Sequence, residues 1–218
     1  MITFFDKNKG EFRVCEDSLT ATVFDLLKYL PHEIFWDILK KSLFHQKLPE
    51  MSGEILEMNL WDRWSPQYTS NNRYVEPDVF IRFNDFDLLI EAKRYDIRQQ
   101  NDTQIQNEIK AYRNEYEENK NLYFIQLGGL WNEDDTPNID GVIMCKTNWS
   151  RILAQVVIER NKINNIDYSQ INSYKRVLDD LIKGFAMHGY FKKLWLKDLE
   201  EVNITSNIPN IFKYANGN

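Results

Sequence analysis

The residues best suited to chemistry stand at the two ends of one stretch, Pro77-Asp78-Val79-Phe80-Ile81-Arg82-Phe83-Asn84-Asp85-Phe86-Asp87-Leu88-Leu89-Ile90-Glu91-Ala92-Lys93. Two apolar runs of alternating character, separated by Asn84-Asp85, predict a β-hairpin whose two-residue loop takes the positive φ angles that Asn and Asp tolerate. With that loop Phe83 faces Phe86, and counting outward brings Asp78 opposite Glu91. Side chains alternate along a strand, so Asp78, Glu91 and Lys93 are expected on one face. Val79, Ile81, Phe83, Phe86, Leu88 and Ile90 take the other.

Directly opposed residues in an antiparallel pair have Cβ atoms about 5 Å apart, so Asp78 and Glu91 crowd like charges together. At an effective dielectric near 20, two carboxylates about 4 Å apart repel by roughly 4 kcal/mol. A hard divalent cation would offset this repulsion, and Mg2+ takes one or two protein carboxylates while keeping waters for substrate phosphates. The plainer alternative is a half-solvated hairpin on which Lys93 pairs with both acids.

Pro77-Asp78 followed by Glu91-Ala92-Lys93 resembles the PD-(D/E)XK nuclease superfamily, with the proline before the aspartate and a small residue between the glutamate and the lysine. The resemblance spans about residues 16–127. It implies a restriction-endonuclease-like α/β fold, an αβββαβ core with a mixed central sheet flanked by helices, and C-terminal helices after it. It further implies that Asp78, Glu91 and the backbone carbonyl of Ala92 bind catalytic Mg2+ or Mn2+, and that Lys93 orients or activates the attacking water. Two more positions follow by resemblance. A glutamate at the start of the first helix matches Glu16, with Glu33 as rival, and a glutamine opening the helix after Glu-x-Lys matches Gln104, with Gln106 as rival. The implied activity is hydrolysis of phosphodiester bonds, DNA being the expected substrate, in repair, restriction or phage defence. The alternative is an inactive nuclease-like binding module or regulatory partner.

The elements that must position these residues are legible in turn. Glu16-Asp17-Ser18-Leu19-Thr20 leads into Val23, Phe24, Leu26, Leu27 and Leu30, a helix capped by Asp17 or Ser18 and stopped at Pro31. Pro31 suits a first helical position, and Ile34, Phe35, Ile38, Leu39 and Leu43 mark a second helix ending before Pro49. Residues 54–61 alternate as a first strand, and a polar loop from Ser65-Pro66 through Asn71-Asn72 is expected to border the site. Trp61, Trp64, Tyr68 and Tyr74 could stack on bases, yet core packing is the expected role, above all for Trp61. Past Lys93, Thr103 and Gln106 have capping-box spacing, and Ile105, Ile109, Tyr112 and Tyr116 form a buried stripe. Residues 122–127 read as a buried strand, Gly128-Gly129 as a break, and residues 142–145 as a further strand. Asn148-Trp149-Ser150 opens another helix, and a last one runs from about Tyr174 through Phe185 to His188-Gly189.

The chain of 218 residues suits a single domain, with the core at about 16–150 and a helical extension at about 151–218. Hydrophobic content of 43% and aromatic content of 14% indicate a folded globular protein without a membrane-spanning run. The N-terminus lacks a secretory signal pattern, so a cytoplasmic location is expected. Cys15 and Cys145 are too few for a disulfide framework and are expected to be plain buried thiols. His32, His45 and His188 are assigned no chemistry. A formal charge of -6 requires any DNA contact to use a local basic patch, and leaves room for a homodimer or partner protein. Tyr190 to Lys197 mixes aromatics with cations and is expected to be an amphipathic packing segment, followed by an Asn-rich end expected to be partly mobile.

Overall fold

The computed structural model describes residues 13–95, 97–116, 120–163 and 169–191. Lys192 to Lys197 and the Asn-rich end lie outside them. In chain order the elements are α1 (Glu16–Leu27), α2 (His32–Ser42), β1 (Ile55–Leu60), β2 (Val79–Phe83), β3 (Phe86–Ala92), α3 (Asp102–Glu115), β4 (Asn121–Leu127), β5 (Ile143–Thr147), α4 (Trp149–Ile163) and α5 (Ser169–Met187). The last helix starts five residues before the expected Tyr174. Among the described residues, no helix is long and apolar enough to cross a membrane.

The strands form one mixed sheet in the order β1-β2-β3-β4-β5, antiparallel through β3 and parallel from β3 to β5. The hairpin register is the expected one: Val79 pairs with Ile90 and Arg82 with Asp87, which leaves Asp78 opposite Glu91 just beyond the ladder. Its loop differs. Neither Asn84 nor Asp85 has a positive φ, because without glycine an L-residue avoids the left-handed region unless something holds it there.

Both faces of the hairpin are covered, which corrects the expected apolar floor beneath a polar face. All seven residues of β3 are buried. On one side Val79, Ile81, Phe83, Phe86, Leu88 and Ile90 pack with side chains of α1, α2, α4 and α5. On the other, Phe80 and Leu89 pack with Ile105, Ile109 and Tyr112 of α3 and with Trp64 and Val75. A parallel strand buried on both faces is usually apolar throughout. Asp87 and Glu91 are the exceptions on β3, and Asp87 is compensated by Tyr112, whose hydroxyl donates to it at 2.8 Å, and by Arg82 at 3.6 Å.

The helix starts depart from expectation in their caps. Cys15, not Asp17 or Ser18, is the N-cap of α1: its Sγ accepts from the Ser18 amide at 3.4 Å, while Ser18 Oγ accepts from the Cys15 amide at 3.0 Å. Cys15 is therefore a capping residue rather than a plain buried thiol, and the Ser18 hydrogen bonds draw its pKa down. Burial instead pushes the Cys145 thiol up to about 12. Pro31 sits one position before α2 with extended ψ, its carbonyl accepting from the Phe35 amide. Asn101 caps α3 through the Thr103 and Gln104 amides, in place of the Thr103 box.

Candidate active site

The site lies where β3 ends. Asp78, just ahead of β2, receives two donors: the Ala92 amide at 2.7 Å on Oδ2 and the Trp61 indole N–H at 3.2 Å on Oδ1. The Gln104 side-chain amide donates to Glu91 Oε1 at 2.6 Å, and the Lys93 ammonium pairs with the same oxygen. Lys93 also reaches Glu16 Oε1 at 3.4 Å, while Glu16 Oε2 accepts the Arg94 amide at 2.9 Å. Glu16 thus holds two consecutive residues just past the end of β3, and Lys93 bridges Glu16 of α1 to Glu91.

Of the residues singled out from sequence, the structure brings Asp78, Glu91, Lys93, Gln104 and Glu16 together. The rivals do not reach the site. Glu33 pairs with His32 on an exposed part of α2, and Gln106 is exposed on α3. Trp61 is the correction: expected in the core, it is half-buried, has a φ of 57° and holds Asp78. His188 supplies no site group. Its ring bonds Ser18 Oγ at 2.9 Å and the Gly184 carbonyl at 2.7 Å, tying the end of α5 to the start of α1.

Glu108 was not singled out from sequence, yet it lies against Glu91 and Gln104 with 1% of its surface exposed. Neither of its carboxylate oxygens, nor Oε2 of Glu91, has a well-formed hydrogen bond. The signal was its spacing. Gln104 and Glu108 are four residues apart and so occupy one face of α3, beside the apolar stripe.

Packing at the chain reversal after β4 is tight. Gly128 and Gly129 have φ of +71° and +64°, and a Cβ on Gly128 would lie 2.2 Å from the Lys93 carbonyl oxygen. The Lys93 amide donates to Leu127 O at 2.7 Å, and the Trp149 indole donates to Lys93 O at 2.9 Å. Gln100 bridges the Glu91 and Gly128 carbonyls. The lysine's backbone is therefore fixed from three sides.

Electrostatics mark the site as strained. Burial, then the Glu91 charge, push Asp78 up to about 8. Burial and Glu91 also drive Glu108 well above the ordinary carboxylate range. Burial alone would lower Lys93, but Glu91 and Glu16 overcome it and raise its pKa to about 12, so the ammonium stays charged. Perturbed groups gathered at one strand end are the usual sign of a functional site.

A hard cation suits the donor chemistry, since the orphaned oxygens of Glu91 and Glu108 are buried, and buried carboxylates without partners are costly. Among the described residues, no group of three or more His, Cys, Asp and Glu side chains is arranged to hold a metal ion by itself. Mg2+ requires fewer, taking one or two carboxylates and completing its shell from water and phosphate.

Fold and site together define a mixed α/β protein with a buried carboxylate–lysine cluster at the end of its central hairpin. The chain is 31% identical over 211 residues to the uncharacterized protein PM0110 of Pasteurella multocida (strain Pm70), covering 89% of this chain and 78% of that protein, and it belongs to that protein's family. No protein-family model matches the chain, and no solved structure does.

Proposed function

We propose that the protein is a metal-dependent nuclease of the PD-(D/E)XK type, with a restriction-endonuclease-like fold, hydrolysing phosphodiester bonds in DNA. The observation that carries this reading is the convergence of Asp78, Glu91 and Lys93 with Glu16 and Gln104 at one strand end. These residues come from four separate places in the chain. The order of a helix layer, three antiparallel strands, a helix and a parallel strand also agrees with it.

Asp78, Glu91 and the Ala92 carbonyl would hold Mg2+ or Mn2+. The chemistry such an ion supplies when bound is polarisation of the scissile phosphate and a lowered pKa for a bound water. The chain's own groups do the rest. Trp61 and the Ala92 amide aim Asp78, Gln104 orients Glu91, and Glu16 holds the Lys93 side chain in place. Lys93, charged throughout the neutral range, stabilises negative charge gathering on the phosphate. Water oxygen forms the new P–O bond as the bond to the leaving sugar oxygen breaks, and that oxygen takes up a proton.

The neighbourhood offers a local answer to the acidic net charge. Arg94 lies over Tyr95 at 4.8 Å, and Arg98 over Trp131 at 5.0 Å, on the two loops that meet beside Lys93. Tyr95 and Trp131 are both exposed. Cations paired with exposed aromatics suit a single strand, whose bases stack on any π-face.

The test is cleavage of linear, circular and single-stranded DNA with Mg2+ or Mn2+ by wild type, Asp78→Ala and Lys93→Ala. Each substitution is expected to lower the rate by about 100-fold or more. Absence of metal-dependent cleavage by the wild type, or cleavage that both variants retain, would favour the binding-module alternative.

A further inference from the structure

We propose that the cleft between residues 70–76 and the start of α3 is a pocket for an unpaired nucleobase of the strand being cut. The inference deepens the nuclease reading and rests on it. The cleft measures about 410 Å3 and is lined by Ser70, Asn71, Tyr74, Gln104, Asn107 and Glu108, among others. That size falls within the usual range of small-molecule sites, about 300–1,000 Å3.

The lining decides the ligand. No lysine or arginine among the described residues lines the cleft. The α3 N-terminus, which would otherwise attract an anion, has its Thr103 and Gln104 amides taken by Asn101 Oδ1 at 2.9 and 3.3 Å. Glu76 and Glu108 add carboxyls, so a phosphate is disfavoured. Amides and hydroxyls predominate, so a purely apolar ligand would strand them. A planar ligand with hydrogen-bonding edges remains, and a nucleobase is one.

Three features suit it. Tyr74 presents an aromatic ring, with the Arg63 guanidinium over it at 4.7 Å. Asn107 pins the facing loop, accepting from the Ser70 amide at 3.1 Å and donating to Ser70 Oγ at 2.8 Å and Asn71 Oδ1 at 3.2 Å, so the cleft is preformed. Glu108, buried against Glu91 and Gln104, forms the inner end of the cleft and connects it to the strand end.

Gln104 joins the two sites: it lines the cleft and bonds Glu91. A nucleotide whose phosphate lies at Glu91 and Lys93 therefore has the cleft beside it. A paired base cannot enter, because its Watson–Crick edge is engaged and its faces are stacked; a single-stranded or extruded base can.

The test is binding, in EDTA, of a single-stranded oligonucleotide carrying one 2-aminopurine, compared with its duplex, read by anisotropy and by emission quenching. Wild type is expected to bind the single strand at least ten-fold tighter than the duplex. Tyr74→Ala and the exposed Asn71→Ala are expected to weaken that binding about ten-fold, and Tyr74→Phe to retain it. Equal affinity for strand and duplex, or full affinity in both alanine variants, overturns the pocket. Metal-dependent cleavage of single-stranded circular and oligonucleotide DNA by the same wild-type preparation separates the two readings. Metal-dependent cleavage without strand-selective binding sinks the pocket alone, whereas strand-selective binding without cleavage sinks the nuclease reading and leaves the pocket.

Discussion

Replacing Asp78 with asparagine isolates the electrostatic strain of the site from its shape. In the folded protein Asp78 titrates at about 8 against an ordinary 3.8, raised by burial and by Glu91. A carboxyl with a raised folded pKa keeps its proton longer in the native state than in the unfolded one. The unfolded chain therefore binds fewer protons, and stability falls as pH climbs from about 4 towards 8. At 1.36 kcal/mol per pH unit, a two-unit interval inside that window costs at most about 2.7 kcal/mol. Asparagine keeps the volume and does not titrate. It offers one acceptor where Asp78 offers two, so either Trp61 or the Ala92 amide loses its partner, at about 1 kcal/mol. That loss is constant with pH and moves the intercept, not the slope.

The assay is urea denaturation of wild type and Asp78→Asn in EDTA at about pH 5 and about pH 7. Wild type is expected to lose about 2 kcal/mol more than the variant over that interval. Mg2+ at the higher pH is expected to return part of the difference to wild type only, since an ion that binds the native state stabilises it by mass action. Equal pH slopes in the two proteins would refute a strained Asp78 and, with it, the need for a compensating cation.

Two further substitutions probe what holds the site. Gly128→Ala puts a Cβ against the Lys93 carbonyl at a backbone angle costing about 1–2 kcal/mol by itself, so a total loss of at least about 3 kcal/mol is expected in urea melts; an unchanged midpoint would refute it. Asp87→Ala strips Arg82, Lys120 and Tyr112 of their shared buried acceptor and is expected to cost roughly 3 kcal/mol. Under the nuclease reading, cleavage should persist in the folded fraction, because Asp87 lies four residues, about 13 Å, along the strand from Glu91; loss of activity without loss of stability would contradict that separation.

The register of the hairpin was legible because a two-residue loop and a period of two leave one alignment that buries Val79, Ile81, Leu88 and Ile90 together. The second buried face was not, because Asp87 reads as a solvent marker in the middle of β3. Tyr112, twenty-five residues on, with Arg82 across the hairpin and Lys120, makes it an interior residue. Trp61 misled for the opposite reason. An indole beside a strand reads as core, and nothing local reveals that its N–H points at Asp78. Cys15 is a poor cap by type, so Asp17 and Ser18 outranked it, although Ser18 does complete the box from the other side.

The placement of the site follows from the sheet's change of direction at β3. Antiparallel pairing brings the start of β2, and so Asp78, to the end of β3. Parallel pairing with β4 brings Leu127 and the Gly128-Gly129 reversal to the same end. The short path from Lys93 to Asn101 then starts α3 close by, with Gln104 and Glu108 in its first two turns. Only the strand at which pairing switches receives partners from both kinds of neighbour. Gathering Asp78 and Glu108 beside Glu91 works against stability, since burial and the Glu91 charge raise the pKa of both. A site whose acids served folding alone would be better built from apolar side chains of the same size, so the retained charge is itself an argument that this strand end binds something positive.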